Sequence, residues 1–401
     1  MKKFILSFLF VFILIFCLAV FVFTQKVETD DGIRIVHNGK TGLWGKEAKV
    51  GLEPLRTIGD VNTLDENMAF HLPEDIVVDE SGNLYILDSG NHRVQKLDKN
   101  AAYLDTFGKQ GQGPGDFYFP QSLDIDAQGN ICVSDPNNQR IQILDSQGKE
   151  KKTISFRDMP VGAVKYFPGE KLLMGGGRGI IMFRMGEQEQ NPKLLKVIDR
   201  EGKVLFSFGD PYDFKDEYMN RIGNRLAFAV DHEGDVYVAF AYQNRIEKYD
   251  GDGKLVWRAD RELDYKTDVA KKKAKVERRG GNVSISMPQL NMCSTGIAVD
   301  DLGRVWVISL KRQLKEEEKT ATAISVSQTN AGRTMSAKVQ GNTDLRETNV
   351  YQLEIYSPDG ILLGKIPLTF FADAVFIHKD RLFLLDKTRG VSYHEYRMIE
   401  D

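Results

Sequence analysis

Cysteine is nearly missing from these 401 residues, with only Cys17, Cys132 and Cys293 in the whole chain. That density excludes a disulfide framework, so a packed core must hold the fold. Histidine is scarce as well. The six histidines, His37, His71, His92, His232, His378 and His394, show no metal-ligand spacing on one strand or helix. An excess of one charge is also missing. The formal charge of −3 becomes −5 beyond residue 25, once Lys2 and Lys3 are set aside. A chain of that balance lacks the basic face that a nucleic acid demands. No nucleophile elbow, phosphate-cradling loop or dinucleotide fingerprint stands in it. Long apolar runs are absent too, with one exception at the start.

That exception is Phe4 to Phe23, preceded by Lys2-Lys3. A helix of this length spans about 30 Å, the thickness of a bilayer core. The lysines keep to the cytoplasm and direct the rest of the chain outward. Val22-Phe23-Thr24 is a poor cleavage site and the run is long for a signal peptide, so an uncleaved anchor reads ahead of a cleaved signal. Lipidation of Cys17 comes third, because Phe16 before it is bulky. Residues 1–25 are therefore a signal anchor or signal peptide, 26–54 a linker and N-terminal extension, and 55–401 the folded domain. The expected location is extracytoplasmic, anchored to the membrane or secreted, in a periplasm or at a cell surface.

What the chain does have is repetition. Gly82-Asn83-Leu84 through Asp98 and Gly129-Asn130-Ile131 through Asp145 place Gly, Asn, Asp, Asn, Arg, Gln and Asp at matching offsets. A repeated unit must stack on its copies to bury a core. The same register finds four worn copies: Pro160 with Tyr166 and Gly169, Arg225 with Asp231 and Gly234, Ser294 with Asp300 and Gly303, and one near Phe371. Each reads as four short strands a to d, with a–b and c–d turns built on glycine. Six such units define an all-β fold, a six-bladed β-propeller. The last unit lacks a d strand. Leu55-Arg56-Thr57-Ile58-Gly59 matches the d strands Leu104–Gly108 and Leu205–Gly209, so this segment is expected to close the last blade. Cys132 and Cys293 fall in units two and five, on opposite sides of such a ring, and read as two buried thiols.

The motif residues Asp88, Asn91, Arg93 and Asp98, then Asp135, Asn138, Arg140 and Asp145, together with the loop Gly111–Phe117, resemble the NHL-repeat family, as found in exported bacterial six-bladed propellers. The resemblance spans roughly 55–399 and is sharp only in the first two units. It implies a scaffold that binds proteins or ligands. Similar propellers include lyases, lactonases and esterases with zinc or calcium in the channel, and fold alone does not choose among them.

Because Asp88, Asn91, Arg93, Asp135, Asn138 and Arg140 recur at equivalent positions, they read as braces of the b–c turns before they read as ligand contacts. Glu74, Asp75, Gln121 and Asp373, with Ser122 and Thr295 beside them, are expected at the channel mouth. Carboxylates there suit a hard cation such as Ca²⁺, or simply a solvated acidic funnel. A zinc site from His71, His232 and His378 is the sharper metal alternative.

The long connections all belong to one face of the ring: Lys109–Phe119, Gly177–Pro192, Asp210–Asn224, Glu262–Met292 and Lys311–Asn349. Thr267–Arg279 reads as a short helix, and its Lys271, Lys272, Lys273, Lys275, Arg278 and Arg279 form a basic patch suited to an anionic partner or lipid headgroups. Lys311–Asn349 reads as polar and mobile. Binding usually sits on such loops. The expected function is thus a binding scaffold for a protein, peptide or glycan, with no required cofactor and with catalysis left open. The alternative is an exported lyase or hydrolase with a metal-dependent site in the channel.

Overall fold

The computed structural model describes residues 25–157, 159–176, 192–267, 272–279, 282–286, 288–329 and 332–400. The apolar N-terminal run, Lys271 and most of Gly177–Pro192 lie outside these. Six antiparallel sheets of four core strands form the blades of a ring, with innermost strands Pro73–Val78, Ser122–Ile125, Ala163–Phe167, Leu226–Val230, Ser294–Val299 and Ala374–His378. The second strand of each blade is almost wholly buried, as in Leu84–Asp88, Ile131–Asp135 and Val236–Phe240. Apolar side chains from adjacent blades pack there, such as Tyr85 and Leu87 of blade one against Leu123 and Val133 of blade two. Each core is therefore shared between neighbours, which is why the unit had to repeat.

The repeat signature is local hydrogen bonding. Asp79, Asp126, Asp231 and Asp300 each accept the backbone N–H four residues on, at 2.8–2.9 Å, and so shape the a–b turns. Asp88 accepts from the His71 N–H at 2.7 Å, from Asn91 Nδ2 and from Arg93 Nε, while Arg93 donates to the Glu66 carbonyl. Asp135, Asn138 and Arg140 repeat this clasp around the Gln112–Asp116 loop. These six residues tie a b–c turn to the incoming loop, and burial raises both aspartate pKa values.

His92 ends the first b–c turn at φ 58° and accepts from the Phe119 N–H at 3.0 Å. Burial pulls its pKa down to about 4. The unfolded imidazole takes up a proton near pH 6.5, whereas the folded one resists until pH 4. Stability from this group is therefore complete above pH 6.5 and falls on acidification to pH 4, by about 1–3 kcal/mol once solvent screening is allowed for. His92→Asn tolerates the left-handed backbone and should flatten the profile of unfolding free energy against pH in that window. Parallel profiles for the two proteins would refute this.

Ring closure occurs as read. Val50–Ile58 pairs antiparallel with Ser392–Glu400 as the outer strand of blade six. Three segments differ from expectation. Residues 25–38 are no linker: Gln25–Asp30 and Ile33–Asn38 form a hairpin whose second strand runs parallel to Leu255–Arg261, making blade four six-stranded. The turn has Asp31 at φ 47° and Gly32 at φ 78°, the signature of a two-residue hairpin turn. The helix expected over Thr267–Arg279 is absent among the described residues. Lys275–Arg279 is a strand paired with Asn282–Ser286. β-branched Val276, Val283 and Ile285 favour that pairing over a helix crowded with lysines. Within Lys311–Asn349, Thr320–Thr329 and Gly332–Gly341 form a long hairpin, because Thr, Val and Ile recur at alternate positions along the polar stretch.

Cys132 and Cys293 are buried free thiols. Trp257 and Trp306 are core.

Candidate functional site

The channel opens into a cavity at each end. On the loop face a cavity of about 220 Å³ lies over blades four to six, walled by Ala227, Ala239, Tyr242, Met292, Leu314 and Tyr351. Met292 and Leu314 come from the two largest insertions. Glu318 sets the root of the second one. It takes both arms of Arg312, at 2.6 and 2.7 Å, and this hydrogen bonding lowers its pKa to about 2.

Glu74 and Asp373 both line this cavity, but neither is a bare carboxylate. Lys387 Nζ bonds Glu74, and the Lys387 backbone N–H donates to Asp373 at 2.8 Å. Burial raises the Asp373 pKa, with nearby Asp386 adding to it. Asp75 turns away from the cavity. It accepts from the Leu123 N–H at 3.1 Å and pairs with Lys165 at 3.2 Å, tying blades one, two and three together. Gln121 is buried, and among the described residues neither amide atom has a hydrogen-bond partner.

Two further cations line the cavity. Arg389 lies over the Phe371 ring at 3.4 Å and donates to the Glu318 carbonyl at 2.5 Å. Arg225, just before the inner strand of blade four, is exposed in the cavity wall, and among the described residues its guanidinium makes no hydrogen bond or ion pair. Thr295 is spent on the Ala372 carbonyl at 2.8 Å. Arg225, Lys387, Arg389 and Tyr242 escaped the sequence reading. Arg225 had been recognised only as the register mark of unit four, at the position of Pro73 in unit one.

At the opposite end a wider cavity of about 450 Å³ is lined by Asp79, Asp124, Asp126, Asp231, Lys165 and His378 among apolar residues. Burial and the charges of Lys379 and Arg381 lower the His378 pKa. Among the described residues, no group of three His, Cys, Asp or Glu side chains is placed to hold a metal ion; this includes His71, His232 and His378, and the mouth carboxylates.

Fold and repeat together define the class: the chain is a six-bladed β-propeller that carries NHL repeats in its first two blades. The NHL repeat profile matches residues 70–97 and 117–144. Among solved structures, a DUF4221-family protein from Bacteroides vulgatus is similar at 13% identity, over 88% of this chain and 99% of that one, with a TM-score of 0.54. A candidate exported protein from Bacteroides fragilis is similar at 10% identity, over 92% and 99% of the two chains, also with a TM-score of 0.54. No curated protein matches the chain.

Proposed function

We propose that this propeller is an extracytoplasmic binding module, tethered by its N-terminal run, that seats an acidic group of a protein, peptide or glycan partner in the loop-face cavity. Arg225 carries the reading. It stands in the wall with its guanidinium unengaged by any described residue, while Lys387 holds Glu74 and Arg389 is spent on Phe371 and Glu318. A planar fork of donors beside apolar walls suits a carboxylate borne on an apolar or sugar frame. Rigid blades supply the floor and the two insertions supply the rim, an arrangement suited to recognition. The alternative lyase or hydrolase would need a base or metal beside an oxyanion donor, whereas the lysine and carboxylates at this mouth already neutralise one another. Export is supported by Lys2-Lys3 ahead of Phe4–Phe23.

The test is recovery of partners from an envelope extract by the immobilised ring, wild type against Arg225→Glu. Arg225 is exposed, so the change should leave the melting temperature in place while cutting recovery about tenfold or more, the scale of one charged hydrogen bond. Equal recovery by both proteins would remove the cavity from the binding reading.

A further inference from the structure

We propose that the loop face over blades four and five is turned toward the bilayer, with Lys272, Lys273 and Lys275 resting on an anionic lipid surface. This rests on reading Phe4–Phe23 as an uncleaved anchor. Gln25 is the first described residue and is already fixed. It pairs with Asn38 in the added hairpin, and its Nε2 donates to the Leu362 carbonyl of blade five at 3.0 Å. Two residue steps from Phe23 reach at most about 7 Å, so the point where Gln25 sits cannot stand far from the headgroups.

That point lies on the outer rim where blades four and five meet, with Asn38 bonded to the Gly360 carbonyl and the Leu362 N–H of blade five. Asn38 aligns with Arg261, the end of blade four's outer strand, and Arg261 donates to the Cys293 carbonyl at the head of blade five. The basic insertion leaves the ring at the same place. The Glu262 N–H donates to the Asn38 carbonyl at 2.9 Å, and Lys40 pairs with Asp264 at 2.5 Å. Farther along, Lys272 bonds the Gln289 carbonyl, and Asn291 returns to the Lys266 carbonyl at 2.8 Å, which keeps the lysines over the insertion's root. Lys273 and Lys275 are exposed. Ile324, on the neighbouring long hairpin, is 43% exposed and adds an apolar side chain to the same face.

Charge agrees with this orientation. The cavity at the other end of the channel gathers Asp79, Glu80, Asp124, Asp126 and Asp231 against Lys165. An anionic leaflet attracts lysines within a Debye length and repels that acidic end, so the field turns the ring one way. Lipid is favoured over an acidic protein because the anchor alone already holds this sector at the surface. The binding cavity over blades four to six then opens toward the membrane, where a bilayer-borne partner would lie.

The test uses the full chain in nanodiscs of phosphatidylcholine, with or without phosphatidylglycerol. A fluorescent amino acid replaces Lys273 or, on the opposite face, exposed Glu233, and lipids spin-labelled at the headgroup act as quenchers. Quenching at 273 should exceed that at 233 about threefold or more in phosphatidylglycerol discs, and Lys272→Glu with Lys275→Glu should cut it at least about twofold. Equal quenching at 273 and 233, with the chain embedded in the disc, overturns the orientation and leaves the anchor intact. Failure of the chain to enter the discs overturns both. Quenching at 273 that ignores both phosphatidylglycerol and the charge reversal overturns the lipid contact and gives the lysines to an acidic protein.

Discussion

A chain that starts at residue 60 is expected to lose the closed ring, whereas one that starts at residue 39 keeps it. Val50–Ile58 is the only strand of blade six that comes from the far end of the sequence. Its Val50 and Ile58 are 1% and 0% exposed. Burying two such side chains is worth about 3–6 kcal/mol, against about 5–15 kcal/mol for a whole domain. Without the strand, Ser392–Glu400 becomes an open edge, ready to pair with another chain. Arg56 would also leave Glu395, which is 1% exposed, with Arg381 alone at 2.6 Å. Beyond the apolar N-terminal run that both truncated chains lack, the shorter deletion removes the hairpin on blade four and should shift the urea midpoint modestly. Urea unfolding and size exclusion of the two truncated proteins separate these outcomes. Matching midpoints would show that closure adds nothing to stability.

Ring, register and closure were legible because they rest on contacts between near neighbours in sequence. Asp79 reaching Asn83, or Asp88 reaching Arg93, is a pattern that survives in the order of residues. The hairpin at 25–38 was also legible, since Asp31-Gly32 between alternating strands is the strongest short hairpin signal there is. It was masked by proximity to the apolar run, which made the segment look like a linker. The insertions misled for another reason. Lysine-rich or Ser- and Thr-rich composition suggested helix and mobility, while the alternation of β-branched residues decided for strands. The cavity was the least legible part. Arg225, Tyr242, Lys387 and Arg389 come from blades four and six, and nothing near any of them in sequence marks a shared wall. Likewise Gln95 and Gln142 hide a ladder that continues as Glu247, Glu354 and Glu395, all at most 1% exposed on third strands. The change from amide to carboxylate conceals the equivalence, and it forces blades four to six to supply cations.

Arg261→Met should be among the most damaging single substitutions in the protein, because it strands one of those carboxylates. Arg261 and Glu354 are 0% and 1% exposed at the side chain and approach to 2.8 Å across the junction of blades four and five. Lys365 reaches the other oxygen at 3.1 Å, and the Tyr356 hydroxyl donates at 2.8 Å. Burial pushes the Glu354 pKa up, but the charges of Arg261 and Lys365 outweigh it and hold the pKa below the ordinary value. Removing one partner of a buried pair costs about 3–5 kcal/mol, since the charge left behind has lost its water and its counterion. Arg261→Met together with Glu354→Leu should recover most of that loss, as a well-packed apolar pair often does. The pH dependence has a definite sign. A carboxylate with a depressed folded pKa contributes stability above its unfolded pKa and loses it as pH falls through the folded value. The penalty of Arg261→Met should therefore be larger at pH 7 than at pH 4, where a stranded Glu354 can take a proton. Urea denaturation of the wild type, both single variants and the double variant at the two pH values closes the cycle. A double variant as unstable as Arg261→Met alone would mean that the cost lies in lost packing rather than in the stranded charge.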